Sequence, residues 1–414
     1  MSDMKATVVP TEQGFSVCGY EKIEYDFEFL DGVFHVENQQ LAKYYQKWER
    51  CLAVMDLNIF NLYGLQMQNY FDQHGIKLKM HKTMIGEKAK SMKTLLEIVD
   101  TMTDFGLYRK EPLLVVGGGL VTDVAGFACA AYRRNTNYIR IPTTVIGLID
   151  ASVSIKVAVN YGRYKNRLGA YHPPLRTFLD FTFLRTLPAA QIRNGFAELI
   201  KISSCAHKST FDLLDRYCEN LIDTAFGRLD NAPEDIKMVA DQIMLDRVIA
   251  YGHTWSPLHE LVPETPLRHG HAISIDMAYS ATLSRLRGLL SPADHERILN
   301  LFSRAGLSMD HHQFDGLLLE RATSAILKTR DGKLRAAVPV SPMGKFPRKG
   351  DGLDAYVDAS DTGYTVQGAP VENCLAKNSQ NSIDCASDSR GLDSFKKVER
   401  ITLKDYSSKI RGVS

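Results

Sequence analysis

Short apolar runs alternate with helical patterns through the first half of the chain. Residues 51–56 read CLAVMD, an apolar run closed by an acid; a helical stretch follows, and then a strand-type run at 77–85. Apolar residues at 92, 95, 96, 98 and 99 give 91–105 a helical period. Residues 113–116 (LLVV) are uninterruptedly apolar, as a strand covered on both faces should be. Residues 138–141 (YIRI) and 177–180 (TFLD) are further strand candidates. Strands alternating with helices predict a parallel sheet with helical crossovers, an α/β domain over residues 1–182.

After Pro188 the period is helical throughout. Residues 191–207, 210–222, 271–287 and 292–305 predict helices, so a mainly helical second domain is expected over 183–345. Residues 346–414 are rich in Gly, Ser, Asp, Asn and Lys with few apolar clusters, the composition of a poorly ordered tail. No internal repeat is visible.

Composition narrows the function classes. With 414 residues, 44% apolar and 24% charged, the chain is long enough for two domains and too apolar to be disordered throughout. Its 50 basic and 48 acidic residues leave a net charge of +2 without a long basic stripe, so no nucleic-acid partner is expected. Seven cysteines, none in C-x-x-C spacing, predict reduced thiols in a cytoplasmic protein. Residues 1–10 lack the apolar stretch of a secretory signal. The most membrane-like stretch, 113–132, contains Asp123 and three consecutive glycines, which predicts a buried strand, a turn and a helix and no membrane association.

Several residues could carry chemistry. Gly117, Gly118 and Gly119 follow the LLVV run and precede a helical pattern. Glycines let a ligand approach the backbone, and a helix N-terminus offers N–H groups to a pyrophosphate; a tight strand-to-helix turn explains the same residues. Thr143 and Thr144 close the next strand, where they could meet a ligand or simply cap a helix. Lys156, Lys165 and Asn166 lie in KVAVNYGRYKN, either a phosphate-binding loop or a solvated one. Glu198 and Lys201 share a helix face at i, i+3 as an ion pair, and the apolar residues around Glu198 turn it inward, where a carboxylate needs a partner such as a metal. Glu198, His253 and His269 from three helices could make an open zinc site; a capping or packed histidine beside glycine is the plainer explanation of each.

Taken in order, GGGLVTD at 117–123, IPTT at 141–144, KNRLGAYH at 165–172, RNGFAELIK at 193–201, AYGHTWSP at 250–257 and HGHAISIDMA at 269–278 resemble the sugar phosphate cyclases, the dehydroquinate synthase superfamily. The resemblance covers about residues 20–339. It implies a Rossmann-like α/β N-terminal domain, a mainly α-helical C-terminal domain, a site between them, a bound NAD, a divalent metal (Zn2+ or Co2+) and a homodimer acting on a small-molecule sugar phosphate. Glu198, His253 and His269 fall on the metal-ligand positions. Asp56, Glu87, Lys90, Gly117, Gly118, Gly119, Leu120, Val121, Thr122, Asp123, Thr143, Thr144, Lys156, Lys165, Phe183 and Thr186 fall on cofactor positions. Arg134, Lys156, Asn166 and Lys201 fall on substrate or phosphate positions.

YGHTWSP and KNRLGAYH look more like the gadusol-forming branch, which converts sedoheptulose 7-phosphate to the core of mycosporine-like sunscreens with loss of phosphate. Asp246, Ala250 and Pro257 stand where dehydroquinate synthases carry Arg, Asn and His, which argues against the seven-carbon acid substrate. The chain also departs from the pattern: the run at 236–243 leads almost directly into 245–247, as if one helix and its loop before His253 were absent. The expectation is therefore a gadusol-type cyclase. The alternatives are a valiolone-type or dehydroquinate synthase-like activity, or an impaired paralogue that keeps the fold.

Overall fold

The computed structural model describes residues 4–21, 23–84, 86–151, 154–162, 164–245, 267–286, 288–329, 339 and 341–343. His253, all of 246–266 and the 346–414 tail lie outside the described residues, whereas the run at 236–243 falls within a described helix, Glu234–Leu245. The chain forms two compact units. The first comprises 1–143, 151–161 and 166–182; the second comprises 144–150, 162–165 and 183–414.

In the first unit, strands β3 (Asp26–Phe29), β4 (Arg50–Asp56), β5 (Lys77–Thr83), β6 (Leu113–Gly117), β7 (Tyr138–Pro142) and β10 (Arg176–Leu179) make one sheet in the order β3-β10-β7-β6-β4-β5. Every pairing in it is parallel. The apolar runs become the central strands because both faces are covered: every residue of β6 and β7 is buried. Helices α1 (Leu57–Gln73), α2 (Met92–Asp104) and α3 (Gly119–Ala131) supply cover, and Leu95, Ile98, Val124 and Ala128 pack with Leu52, Val54, Leu113 and Val115. Asp56 caps α1 by accepting from Ile59 N at 3.0 Å, and Ser91 caps α2 by accepting from Thr94 N at 3.3 Å, each cap worth about 1 kcal/mol. The membrane-like stretch is β6, a turn and α3; among the described residues no helix is long and apolar enough to cross a membrane.

Three features depart from the sequence pattern. KVAVNYGRYKN is a β-hairpin, β8 (Lys156–Tyr161) and β9 (Tyr164–Tyr171), in place of a glycine-containing loop. A second hairpin, β1 (Met4–Thr11) and β2 (Gly14–Glu21), has no predicted counterpart: Val8, Val9, Phe15 and Val17 are exposed, so no buried face gives it a period. Within YIRI, Arg140 is 1% exposed. Its guanidinium donates to Ala151 O at 2.9 Å and Ser154 O at 3.2 Å, which makes a buried charge tolerable inside an apolar run.

The second unit is helical: α4 (Ala189–Ala206), α5 (Lys208–Asp223), α6 (Glu234–Leu245), α7 (His269–Leu286), α8 (Pro292–Arg304) and α9 (Gly316–Thr329). α4 packs on α5, α7 and α8, and α7 is buried on nearly all sides, with Ile275 and Tyr279 against Phe314, Leu318 and Leu319 at α9.

Candidate functional site

The first unit gathers candidate residues at the carboxyl edge of its sheet. The chain passes from β4 outward to β5 and then returns to β6 on the other side of β4, so the strand order reverses between β4 and β6. Ligands bind outside the strand ends at such a reversal in open α/β sheets. Asp56 ends β4, and Gly117 ends β6. A Cβ on Gly117 would lie 3.0 Å from Val121 Cβ, so the turn into α3 needs the absent side chain. Gly118 O accepts from Val121 N and Thr122 N, both at 3.1 Å, as α3 begins. Thr122 Oγ1 donates to Gly119 O at 3.1 Å, and Thr143 N donates to Gly117 O at 3.1 Å, tying the ends of β6 and β7 together.

Beside that turn Lys90, 3% exposed, forms an ion pair with Asp123 on α3. Asn160 organises the surroundings. Its backbone N–H donates to Lys90 O at 2.9 Å and its side-chain amide donates to Glu87 Oε1 at 2.8 Å. Its carbonyl oxygen accepts from Asn166 N at 2.9 Å, with Asn166 at a left-handed φ of 51°. Asn160 was no sequence candidate. It is an ordinary strand residue until the hairpin folds it against Glu87, and only KVAVN's polar end hinted at it.

The second unit builds its cluster on the α4–α7 packing. Glu198 is 0% and Lys201 2% exposed, and the two are ion-paired across one turn of α4. His269, first residue of α7, places Nε2 2.7 Å from Glu198 Oε1, and Lys165 Nζ lies 3.4 Å from His269 Nδ1. Burial pulls the Lys201 ammonium toward neutrality, but Glu198 and then Asp150 outweigh it, and its pKa is raised. Asp150 comes from the π-helical turn Gly147–Ala151. Thr144 Oγ1 accepts from Gly147 N at 3.1 Å and so opens that turn, the capping alternative for this hydroxyl.

Glycines permit the packing. A Cβ on Gly195 would run into the Val145 side chain, and one on Gly270 would lie 2.6 Å from Asn194 Oδ1 and 2.7 Å from Asn194 Cα. Asn194 Oδ1 also accepts from Gly270 N, so the Asn-Gly of RNGFAELIK and the Gly of HGH seat α7 on α4. The two histidines of HGH then diverge: His269 meets Glu198, while His271 Nδ1 lies 3.0 Å from Ser308 Oγ. Asp150, Asn194, Gly195 and Gly270 carry no ligand signal of their own in the sequence.

Other predicted residues stand apart. Arg134 is exposed, at φ 56°, in the turn between α3 and β7, at the amino edge of the sheet and away from Gly117–Gly119. Lys156 begins β8, its N–H donating to Ser154 Oγ at 3.0 Å, whereas Lys165 is near the start of β9, so the two lysines do not flank one loop. Leu120 and Val121 lie in the first turn of α3. Phe183 is buried, and Thr186 Oγ1 donates to Phe183 O at 3.3 Å. Among the described residues no group of three His, Cys, Asp or Glu side chains could hold a metal; His253 is not among them.

Known proteins resemble the whole arrangement. Residues 80–194 match the family model for the 3-dehydroquinate synthase N-terminal domain and 195–330 that for its C-terminal domain. A demethyl-4-deoxygadusol synthase of Trichormus variabilis is 49% identical over 400 residues, covering 86% of this chain and 97% of its own. A 3-dehydroquinate synthase of Caldanaerobacter subterraneus is 30% identical over 335 residues, 78% of this chain and 92% of its own. The solved 2-epi-5-epi-valiolone synthase of Streptomyces hygroscopicus, with NAD+ and Zn2+ bound, has a TM-score of 0.73 at 34% identity, covering 80% of this chain and 93% of its own.

Proposed function

Because this chain belongs to the 3-dehydroquinate synthase family of sugar phosphate cyclases, we propose that it converts sedoheptulose 7-phosphate to demethyl-4-deoxygadusol with release of phosphate. NAD and a divalent cation, Zn2+ or Co2+, assist it. The protein acts as a cytoplasmic homodimer on a free sugar phosphate, with neither nucleic acid nor membrane involved.

The observation that carries this reading is the fully buried Glu198 carboxylate set 2.7 Å from the ring nitrogen of His269, in a chain 49% identical to a gadusol-forming relative. A carboxylate and an imidazole suit zinc or cobalt, and His253 is the third proposed donor. The triple-glycine turn and the N-terminus of α3 suit a pyrophosphate, and Asp56 at the end of β4 suits a ribose. The chemistry these groups supply when bound is hydride removal and return, and polarisation of a substrate oxygen.

The rest falls to the chain's own residues. Glu198 and Asp150 keep Lys201 charged. A fixed ammonium beside the proposed ligand pair steadies the negative charge that grows on a departing phosphate, and Lys156 is proposed as its partner. Asn160 keeps Glu87, Lys90 and Asn166 in register at the cofactor end. Substrate oxidation acidifies the neighbouring C–H, phosphate leaves by β-elimination, and the opened ring recloses through carbon. The loss of one water, which the valiolone branch does not require, completes the atom balance of demethyl-4-deoxygadusol. The oxidation is reversed within the cycle, so no NADH is left over.

The test is incubation of the purified chain with sedoheptulose 7-phosphate, NAD and zinc. Stoichiometric phosphate release, the product mass of demethyl-4-deoxygadusol and no net NADH are expected. A valiolone mass would move the chain to the sister branch, and NADH build-up without phosphate would make it a dehydrogenase. One observation favours a second reading, a chain that keeps the fold but has lost turnover. The match to the gadusol-forming relative runs over 400 residues while taking in 86% of this chain, so some positions of the relative have no counterpart here. Bound zinc and NAD without phosphate release would establish that reading.

A further inference from the structure

One neutral side chain in the first unit joins residues on cofactor positions, Glu87 and Lys90, to one on a substrate position, Asn166. Asn160 and all three belong to that unit. The backbone of Asn160 forms a parallel bridge with Ser91 and donates its N–H to Lys90 O at 2.9 Å. This ties β8 to the Glu87–Ala89 turn, and Lys90 pairs in turn with Asp123 on α3. The Asn160 amide meets two groups of fixed and opposite polarity. Glu87 Oε1, 2.8 Å from Nδ2, is an ionised carboxylate oxygen that only accepts; the Asn166 N–H, 2.9 Å from Oδ1, only donates. The partners therefore dictate which way the amide points. Asn166 sits at a left-handed φ of 51°, a conformation that residues other than glycine seldom keep without support.

We propose that Asn160 is a positioning residue that serves both ligands through the two halves of its amide. Nδ2 holds the Glu87 carboxylate in place for NAD, with Oε1 anchored and Oε2 left to accept from a ligand hydroxyl. Oδ1 holds the Asn166 backbone in its left-handed turn for the sugar phosphate. The inference rests on the reading of Glu87 as a cofactor residue and Asn166 as a substrate residue, and it adds a residue that touches neither ligand. The two halves are chemically separable. Aspartate at 160 still accepts from the Asn166 N–H but sets a second negative charge against Glu87, which drives that carboxylate out of its place. Leucine, of similar size, serves neither partner.

The experiment measures NAD affinity of the full-length chain by equilibrium dialysis. At saturating NAD it also measures the KM for sedoheptulose 7-phosphate or, in a chain without turnover, the calorimetric affinity for that sugar. Asn160→Asp should weaken NAD binding roughly 10-fold while the sugar phosphate term stays within about 2-fold of wild type. Asn160→Leu should weaken both roughly 10-fold. A second background separates positioning from folding. With Glu87→Gln, the side-chain amide at 87 donates to the carboxylate at 160, so the same Asn160→Asp change should cost NAD affinity less than about 3-fold. A residue that only supported the fold would show no such rescue. Equal NAD losses in the two backgrounds overturn the proposal, and so does an Asn160→Asp chain whose sugar phosphate term suffers as much as that of Asn160→Leu. A Glu87→Gln chain with wild-type NAD affinity overturns the cofactor reading of Glu87 itself, and the proposal with it.

Discussion

Lys201 shows two opposing effects with a clear winner. Burial disfavours its ammonium, and Glu198 with Asp150 restores it. Removing one member of a buried ion pair leaves an uncompensated charge, so Lys201→Met should lower unfolding free energy in urea by about 3–5 kcal/mol; a loss under 1 kcal/mol would contradict the pairing. His295 on α8 is the reverse case. It is 1% exposed, with Nε2 2.9 Å from Thr282 Oγ1 and Nδ1 3.3 Å from Arg285 Nη1, and burial first and Arg285 second lower its pKa from 6.5 to about 4. The fold thus prefers the neutral ring. Its contribution to stability is intact above about pH 6.5 and is lost as pH falls toward 4. Thermal unfolding at pH 7 and pH 5 should show a larger acid-side loss for wild type than for His295→Gln, and equal losses would refute the assignment. At this scale the sequence was partly legible. The i, i+3 spacing with apolar neighbours exposed the Glu198–Lys201 pair, but nothing local separates His269 from His271.

Between elements, the contact of α4 with α7 is set by small residues. Asn194 backbone and side-chain atoms occupy the place a Cβ on Gly270 would need. Gly270→Ala should push α7 off α4, cost roughly 1–3 kcal/mol by overpacking and lower zinc content, because His269 is the adjacent residue. Metal analysis on the dialysed variant checks this; full zinc retention would show that His269 holds its place independently of the helix contact. The sheet was readable because its central strands are covered on both faces and so appear as unbroken apolar runs. The β8–β9 hairpin was not, since its strands mix Lys, Asn and Tyr with Val and it is half exposed.

For the molecule as a whole, the proposed cofactor residues Asp56, Glu87, Lys90 and Gly117–Gly119 belong to one unit, while Glu198, Lys201 and His269 belong to the other. Damage to the second set should therefore spare the first. Glu198→Gln is expected to lose zinc while its NAD affinity, read by fluorescence quenching, stays within a few-fold of wild type. Loss of both would show that the two sets depend on each other. The units also exchange chain: 144–150 and 162–165 group with the helical unit although they lie amid the α/β sequence. These excursions bring Asp150 and Lys165 to the Glu198 cluster.

The sequence alone determined the alternating first half, the helical second half, the glycine turn at a strand end and the ordered motifs of a sugar phosphate cyclase. All of these are properties of neighbours along the chain, where period and spacing are fixed by backbone geometry. Tertiary structure alone decided that Asn160 binds Glu87, that Arg140 sits fully buried in a strand, and that Lys165 stands behind His269. Each of these contacts joins residues far apart in sequence, and their side chains meet only after packing has chosen a register.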